Sequence, residues 1–226
     1  MLRAVIFDFD GVIVDTERWH FEALTRVLAE EGIPLSWDEY TQTYLALDDR
    51  HCFRTALARH GRVADPAVVQ RLSERKALYF FGALPDTFVP FPGVDAFIRR
   101  AAQKYPLAIA SGALREEIEF ILARVGLREY FPVVVAAQDV VKGKPDPEAY
   151  LAALARLNRL APAKPVGPPE CLVIEDSRHG VAAATAAGMR CLAVATSYPA
   201  EALRAADLVV ASLKQVDLAR VESLFT

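Results

Sequence analysis

Six short apolar runs recur along this chain, each continuous rather than alternating, and helical patterns separate them. That rhythm constrains the fold more than any other feature. The runs lie at 4–9, 107–111, 133–136, 171–175, 191–195 and 208–210. A strand with one wet face alternates apolar and polar residues, whereas a strand covered on both faces is apolar throughout, as in a parallel sheet. Helical patterns at 94–104, 115–125, 147–157, 180–187 and 200–204 fill the intervals. Strand–helix alternation of this kind predicts an α/β fold built on a doubly wound parallel sheet.

One interval breaks the rhythm. Between residues 16 and 85 no strand pattern occurs, only helical ones. HFEALTRVLAEEG reads as an amphipathic helix ending at Gly32. SWDEYTQTYLAL offers Ser36 as an N-cap with Glu39 three residues on, a capping box. DDRHCFRTALARHG and DPAVVQRLSERKALYFF complete a set of about four helices, and the Pro- and Gly-rich ALPDTFVPFPG is the return hinge. LAPAKPVGPPE is a surface loop before the fourth strand. The expectation is a Rossmann-like α/β core at 1–15 and 86–226, interrupted after its first strand by a small all-helical cap domain at 16–85.

Charge narrows the function classes. With 26 Lys and Arg against 29 Asp and Glu, a net charge of -3 and no basic block, nucleic acid is not an expected partner. Asp8 interrupts the first apolar run, which argues against a signal peptide there, and no window is long and uncharged enough for a membrane span. Three scattered cysteines, Cys52, Cys171 and Cys191, have no zinc spacing and suit reduced thiols in the cytoplasm.

Ligands of parallel α/β sheets bind beyond the carboxyl ends of the strands. The first strand runs out at Asp8, with Asp10 and Gly11 beyond it, and the second at Ser111-Gly112. VVKGKPDPE, carrying Lys142 and Lys144, follows the third, and the fourth ends in Glu175-Asp176-Ser177. Carboxylates crowded on one rim repel unless a cation joins them, and hard oxygen ligands from few side chains suit Mg²⁺. Ser and backbone amides at a helix N-terminus suit phosphate, and a lysine adds charge for the same anion. In such a site one Asp can attack phosphorus to form an aspartyl phosphate, while a second relays protons to the leaving oxygen and from the incoming water. Each piece alone has an ordinary reading as a solvated loop, a turn or a helix cap. Their joint occurrence at four strand ends does not.

These motifs resemble those of the haloacid-dehalogenase (HAD) superfamily. FDFDG is similar to its first motif, ASG to its second, KGKPDPE to its third and VIEDS to its fourth, over essentially the whole chain. Within the superfamily, DGVIVDTERWHFEA resembles the β-phosphoglucomutase-like phosphatases, whose cap follows the first strand. The resemblance implies that Asp8 is the nucleophile and a Mg²⁺ ligand. It makes Asp10 the general acid/base, which also binds Mg²⁺ through its backbone carbonyl. Ser111, the Gly112 amide and Lys144 would hold the phosphoryl group. Asp176 would ligate Mg²⁺ directly, with Glu175 in the metal shell. Lys144 rather than Lys142 precedes a proline as the family lysine does. Asp10 argues against true dehalogenases, which lack an acid there.

In the cap, His20 and Lys76 match positions that couple closure to acid/base positioning in the mutase. The alternative places His20 on the hinge helix and Lys76 on a solvated helical face. Where the mutases resemble G-x-S-R, this sequence has Ala46 for the Gly, Asp48 for the Ser and Asp49 for the Arg, with Arg50 one residue on. An Asp in place of that Arg would repel a second phosphate. The leading reading is a Mg²⁺-dependent phosphatase of a small phosphorylated metabolite, a sugar phosphate among the candidates. A β-phosphoglucomutase-type phosphomutase and a non-catalytic phosphometabolite-binding or regulatory protein remain as alternatives.

Overall fold

The computed structural model describes residues 1–45, 47–85 and 87–226. Ala46 in the G-x-S-R register and Asp86 at the expected domain boundary lie outside them. The chain divides into two compact units, Met1–Asp15 with Thr87–Thr226, and Thr16–Asp86. The first holds a parallel sheet of β1 (Ala4–Phe7), β2 (Leu107–Ala110), β3 (Val133–Val135), β4 (Cys171–Glu175), β5 (Arg190–Val194) and β6 (Leu208–Val210). The strand order is β3-β2-β1-β4-β5-β6, so it reverses between β1 and β4, and a ligand crevice is expected beyond those two carboxyl ends. Strands β1 and β2 stop short of their apolar runs. The runs record burial rather than pairing: Phe9 is fully buried but lies in the turn beyond the ladder. One further bond extends each strand, from the Asp8 amide to the Ile174 carbonyl at 2.9 Å and from the Ser111 amide to the Val135 carbonyl at 3.0 Å.

The second unit is all helical: α1 (Glu17–Glu30), α2 (Trp37–Thr43), α3 (Asp49–Arg59) and α4 (Pro66–Ala83). Ser36 caps α2, accepting from the Glu39 amide at 3.2 Å, and Asp48 caps α3, accepting from the His51 amide at 2.9 Å. Such caps satisfy amides that the first turn leaves unpaired. Helix α1 buries Ala23, Leu24, Val27 and Leu28, spaced for one face, and packs with α3 and α4 around Phe53, Leu57 and Leu72.

In the sheet unit, alternate residues of β1 face opposite ways. Ala4 and Ile6 join a core with Tyr150 and Ala153 of α7 (Glu148–Leu160) and Val181 of α8 (Arg178–Ala186). Phe7 faces the other layer, edge-on to Phe97 of α5 (Val94–Ala102) at 6.2 Å and to Phe131 at 5.5 Å. Helix α6 (Arg115–Arg124) follows β2, and a short α9 (Leu218–Glu222) near the C-terminus was not anticipated. The expected helix at 200–204 is a single 3-10 turn, Ala200–Leu203.

Candidate active site

The sheet order brings Asp8, Lys144, Glu175 and Asp176 together. Lys144 Nζ lies 2.8 Å from Asp8 Oδ1 and 2.6 Å from Glu175 Oε1. Asp8, Glu175 and Asp176 each turn one carboxylate oxygen into a cluster whose atoms lie within 4.8 Å of one another. Lys142 sits apart, exposed and 3.6 Å from Asp146, so the geometry separates the two lysines of KGKP.

Glu175 is fully buried and its carboxylate is crowded with donors. Oε1 accepts from Lys144 and, at 2.7 Å, from the Tyr150 hydroxyl. Oε2 accepts from the Asp176 amide at 2.8 Å, the Ser177 amide at 2.9 Å and the Ser177 hydroxyl at 3.0 Å. A Cβ at Gly180 would fall 1.6 Å from Oε1, so only glycine lets α8 approach this carboxylate. Gly11 serves the first motif likewise. Its φ is +72°, and a Cβ there would lie 1.9 Å from Asp176 Oδ2. Asp10 lies in that turn, bridged to Val14. Ser111 is buried at the end of β2, its Oγ accepting from the Ala113 amide at 3.1 Å, and Gly112 beside it is exposed.

Burial sets the proton affinities. It raises the Asp8 carboxyl from 3.8 to about 7 against the attraction of Lys144, and the charges of Glu175 and Asp10 push the same way. Burial, then Glu175 and Asp8, raise Asp176 well above the ordinary carboxylate range. Burial opposes ionisation of Glu175 too, but the Lys144 charge and the donors around it prevail and hold it below its ordinary value. Between Asp8 and Glu175, Lys144 is held above the usual lysine range despite its burial.

The remaining candidates belong to the helical unit. Lys76 is 1% exposed, so the solvated-face alternative fails. It lies on the buried stripe of α4 with Val69, Leu72, Ser73 and Phe80, a 3–4 spacing readable in the sequence. Its Nζ is 2.9 Å from Asp49 Oδ1 and 2.6 Å from His20 Nδ1. The His20 ring stacks on Phe80 with centroids 4.3 Å apart. Asp49 is thus committed to Lys76, Asp48 to His51, and Arg50 is exposed.

Sequence comparison places the chain in a family. The family profile of the haloacid dehalogenase-like hydrolases matches residues 2–188. This chain belongs to that family. Among relatives of the HAD-like hydrolase, a validoxylamine A 7'-phosphate phosphatase of Streptomyces hygroscopicus subsp. limoneus is 31% identical, over 96% of each chain. A fructose-1-phosphate phosphatase of Escherichia coli K12 is 35% identical, over 82% of this chain and 92% of its own. A β-phosphoglucomutase structure from Clostridium difficile superposes with a TM-score of 0.86 at 23% identity, covering 100% of this chain and 97% of its own, a likeness of fold. The HAD-like hydrolase is a phosphoric monoester hydrolase.

The family implies a divalent metal, and the donor set suits one. Three converging carboxylates, two of them pushed toward their protonated forms by burial and mutual repulsion, offer the hard oxygens that a divalent cation such as Ca²⁺ or Mg²⁺ takes. The motifs had marked Asp8, Lys144, Glu175 and Asp176. They had not marked Tyr150, Thr196 or Ser197. Ser197 donates to Asp176, and Thr196 donates to the Gly11 carbonyl. Among the described residues no helix is long and apolar enough to cross a membrane.

Proposed function

We propose that this hydrolase is a Mg²⁺-dependent phosphatase of a small phosphorylated metabolite of the sugar-phosphate class, acting through an aspartyl phosphate on Asp8. The observation that carries the reading is Lys144 Nζ at 2.8 Å from Asp8 Oδ1, beside the converging carboxylates. An Asp oxygen attacks phosphorus, the bond to the leaving oxygen breaks, and Asp10 protonates that oxygen. Asp10 then takes a proton from water, which attacks the phosphorus and frees Asp8. Lys144, the Ser111 hydroxyl and the Gly112 amide hold the phosphoryl oxygens, and Glu175 keeps Lys144 aimed at them. Asp8, Asp176 and the Asp10 carbonyl would hold Mg²⁺, with Glu175 beside them. When bound, the ion offsets the charge of carboxylates and phosphate.

The relatives named for phosphorylated carbohydrate-like compounds support the substrate class. In place of the mutases' Arg stands Asp49, engaged by Lys76, and the replacement of that cation supports a phosphatase over an enzyme that holds two phosphates. The three cysteines, all buried and free, fit a reducing cytoplasm. No nucleic acid or membrane is part of this reading.

Phosphate release from a panel of sugar and polyol monophosphates, with Mg²⁺ and with chelator, tests it. Release with Mg²⁺ alone is expected. Silence across the panel would overturn it in favour of a binding protein. Conversion of β-glucose 1-phosphate to glucose 6-phosphate without free phosphate would favour the mutase.

The proton affinities give a second expectation. In the unfolded chain Asp8 ionises near 3.8, but in the fold it holds its proton to about 7. The folded state therefore binds more protons across that window, and the stability of the metal-free protein falls as pH rises through it. Asp176 acts in the same direction, while Glu175 opposes them, losing its contribution as pH falls. A cation competes with the protons on Asp8 and Asp176. Mg²⁺ is thus expected to raise the melting temperature more at about pH 8 than at about pH 5. An equal rise at both would contradict this.

A further inference from the structure

The four family motifs leave one contributor to the rim unassigned, the loop after β5. Strand β5 pairs with β4 on the side away from β1, with Ala193 opposite Glu175. The chain leaving β5 therefore passes beside Asp176. Its course is fixed by backbone bonds, from the Ala195 amide to the Val210 carbonyl at 2.8 Å and from the Thr196 amide to the Val194 carbonyl at 2.9 Å. Two hydroxyls then meet the two acidic motifs. Ser197 Oγ donates to Asp176 Oδ2, and Thr196 Oγ1 donates to the carbonyl of Gly11. The three segments fit without slack, since a Cβ at Gly11 would lie 1.9 Å from Asp176 Oδ2 and 2.7 Å from Ser197 Oγ.

We infer that Ser197 is a positioning residue for the divalent cation. Its hydroxyl fixes the plane of the Asp176 carboxylate, while Thr196 secures the turn that carries Asp10. An aspartate side chain has two torsions, and a donor on one oxygen orients the group so that the other is presented to a metal. Donors behind metal-ligating carboxylates act in this way, and losing one weakens metal binding or activity by about 10- to 100-fold. The hydroxyl touches neither phosphate nor metal in this role. Its effect passes through Asp176. The inference rests on the Mg²⁺ reading above.

Mg²⁺ binding measured calorimetrically, without substrate, on the parent, Ser197→Ala and Ser197→Thr tests it. Ser197→Ala is expected to raise the dissociation constant about 10- to 100-fold. It should leave the melting temperature in chelator unchanged. Ser197→Thr, which keeps the hydroxyl, should bind close to the parent. Parent-like or tighter binding by Ser197→Ala overturns the role of Ser197 and leaves the Mg²⁺ reading standing. A parent that takes up no Mg²⁺ overturns both. Should Ser197→Ala melt early in chelator, Ser197→Cys, similar in size and a poor donor, carries the comparison. Weaker Mg²⁺ binding by it supports the inference, and unchanged binding overturns it.

Discussion

Asp8→Asn abolishes turnover, with phosphate release falling about 10⁴-fold or more, the scale at which enzymes lose a covalent nucleophile. Asn keeps the shape of Asp8 but has no anionic oxygen to attack phosphorus. Its amide group also presents donors, in one of its two orientations, toward a lysine that needs an acceptor. The fold should survive. Asp8 is 8% exposed and is raised to about 7 by burial, so a neutral side chain there relieves repulsion with Glu175 and Asp176. The expected pair of results is a dead enzyme whose metal-free melting temperature equals or exceeds the parent's at about pH 8. Residual activity above about a hundredth of the parent's would rule out Asp8 as the nucleophile.

Lys144→Met has the second largest effect and acts on both stability and rate. The methionine fills similar volume but removes the cation between Asp8 and Glu175. Taking one partner from a buried ion pair costs about 3–5 kcal/mol when the other must stay charged. Here the abandoned carboxylates have an escape, because Asp8 and Asp176 are already biased toward their protonated forms. The loss is therefore expected to be large at about pH 8 and smaller at about pH 5, where protons replace the missing charge. Turnover should fall by at least about 10²-fold, as when a preorganised phosphate-binding charge is removed. Denaturant melts at the two pH values check the first statement and steady-state rates the second. A pH-independent loss of stability would mean that Lys144 serves packing rather than charge.

Much of this rim was legible in the sequence because each motif sits where an apolar run ends. Asp8, Ser111 and Glu175 follow or close runs that pair in the sheet, and their chemistry could be placed at one edge before any strand order was known. Order and depth were not legible. The TSYP segment after β5 carries no pattern that marks its hydroxyls, and its relation to Asp176 exists only because β5 lies next to β4. Tyr150 lies within the helical pattern at 147–157, and nothing along the chain says that its hydroxyl meets a carboxylate. For Lys76 the solvated-face alternative follows from charge alone, whereas its place among Val69, Leu72 and Phe80 fixes it on the buried face of α4. Asp49 then gained a meaning that its register alone did not supply, as the counter-ion of that lysine.

The connection between β1 and α5 has a consequence of its own. Val14 bridges Pro90 in antiparallel fashion, and the Phe91 amide donates to the Ile13 carbonyl at 2.9 Å. The outgoing and returning chains are thus stitched together at the edge of the sheet unit before the helical segment begins. An interruption whose two ends are already joined behaves as a graft. Its length and sequence can drift, or be exchanged for another fold entirely, without altering the register of any strand. The chemistry of the rim and the history of the insert are in that sense separable, and the two can evolve at different speeds.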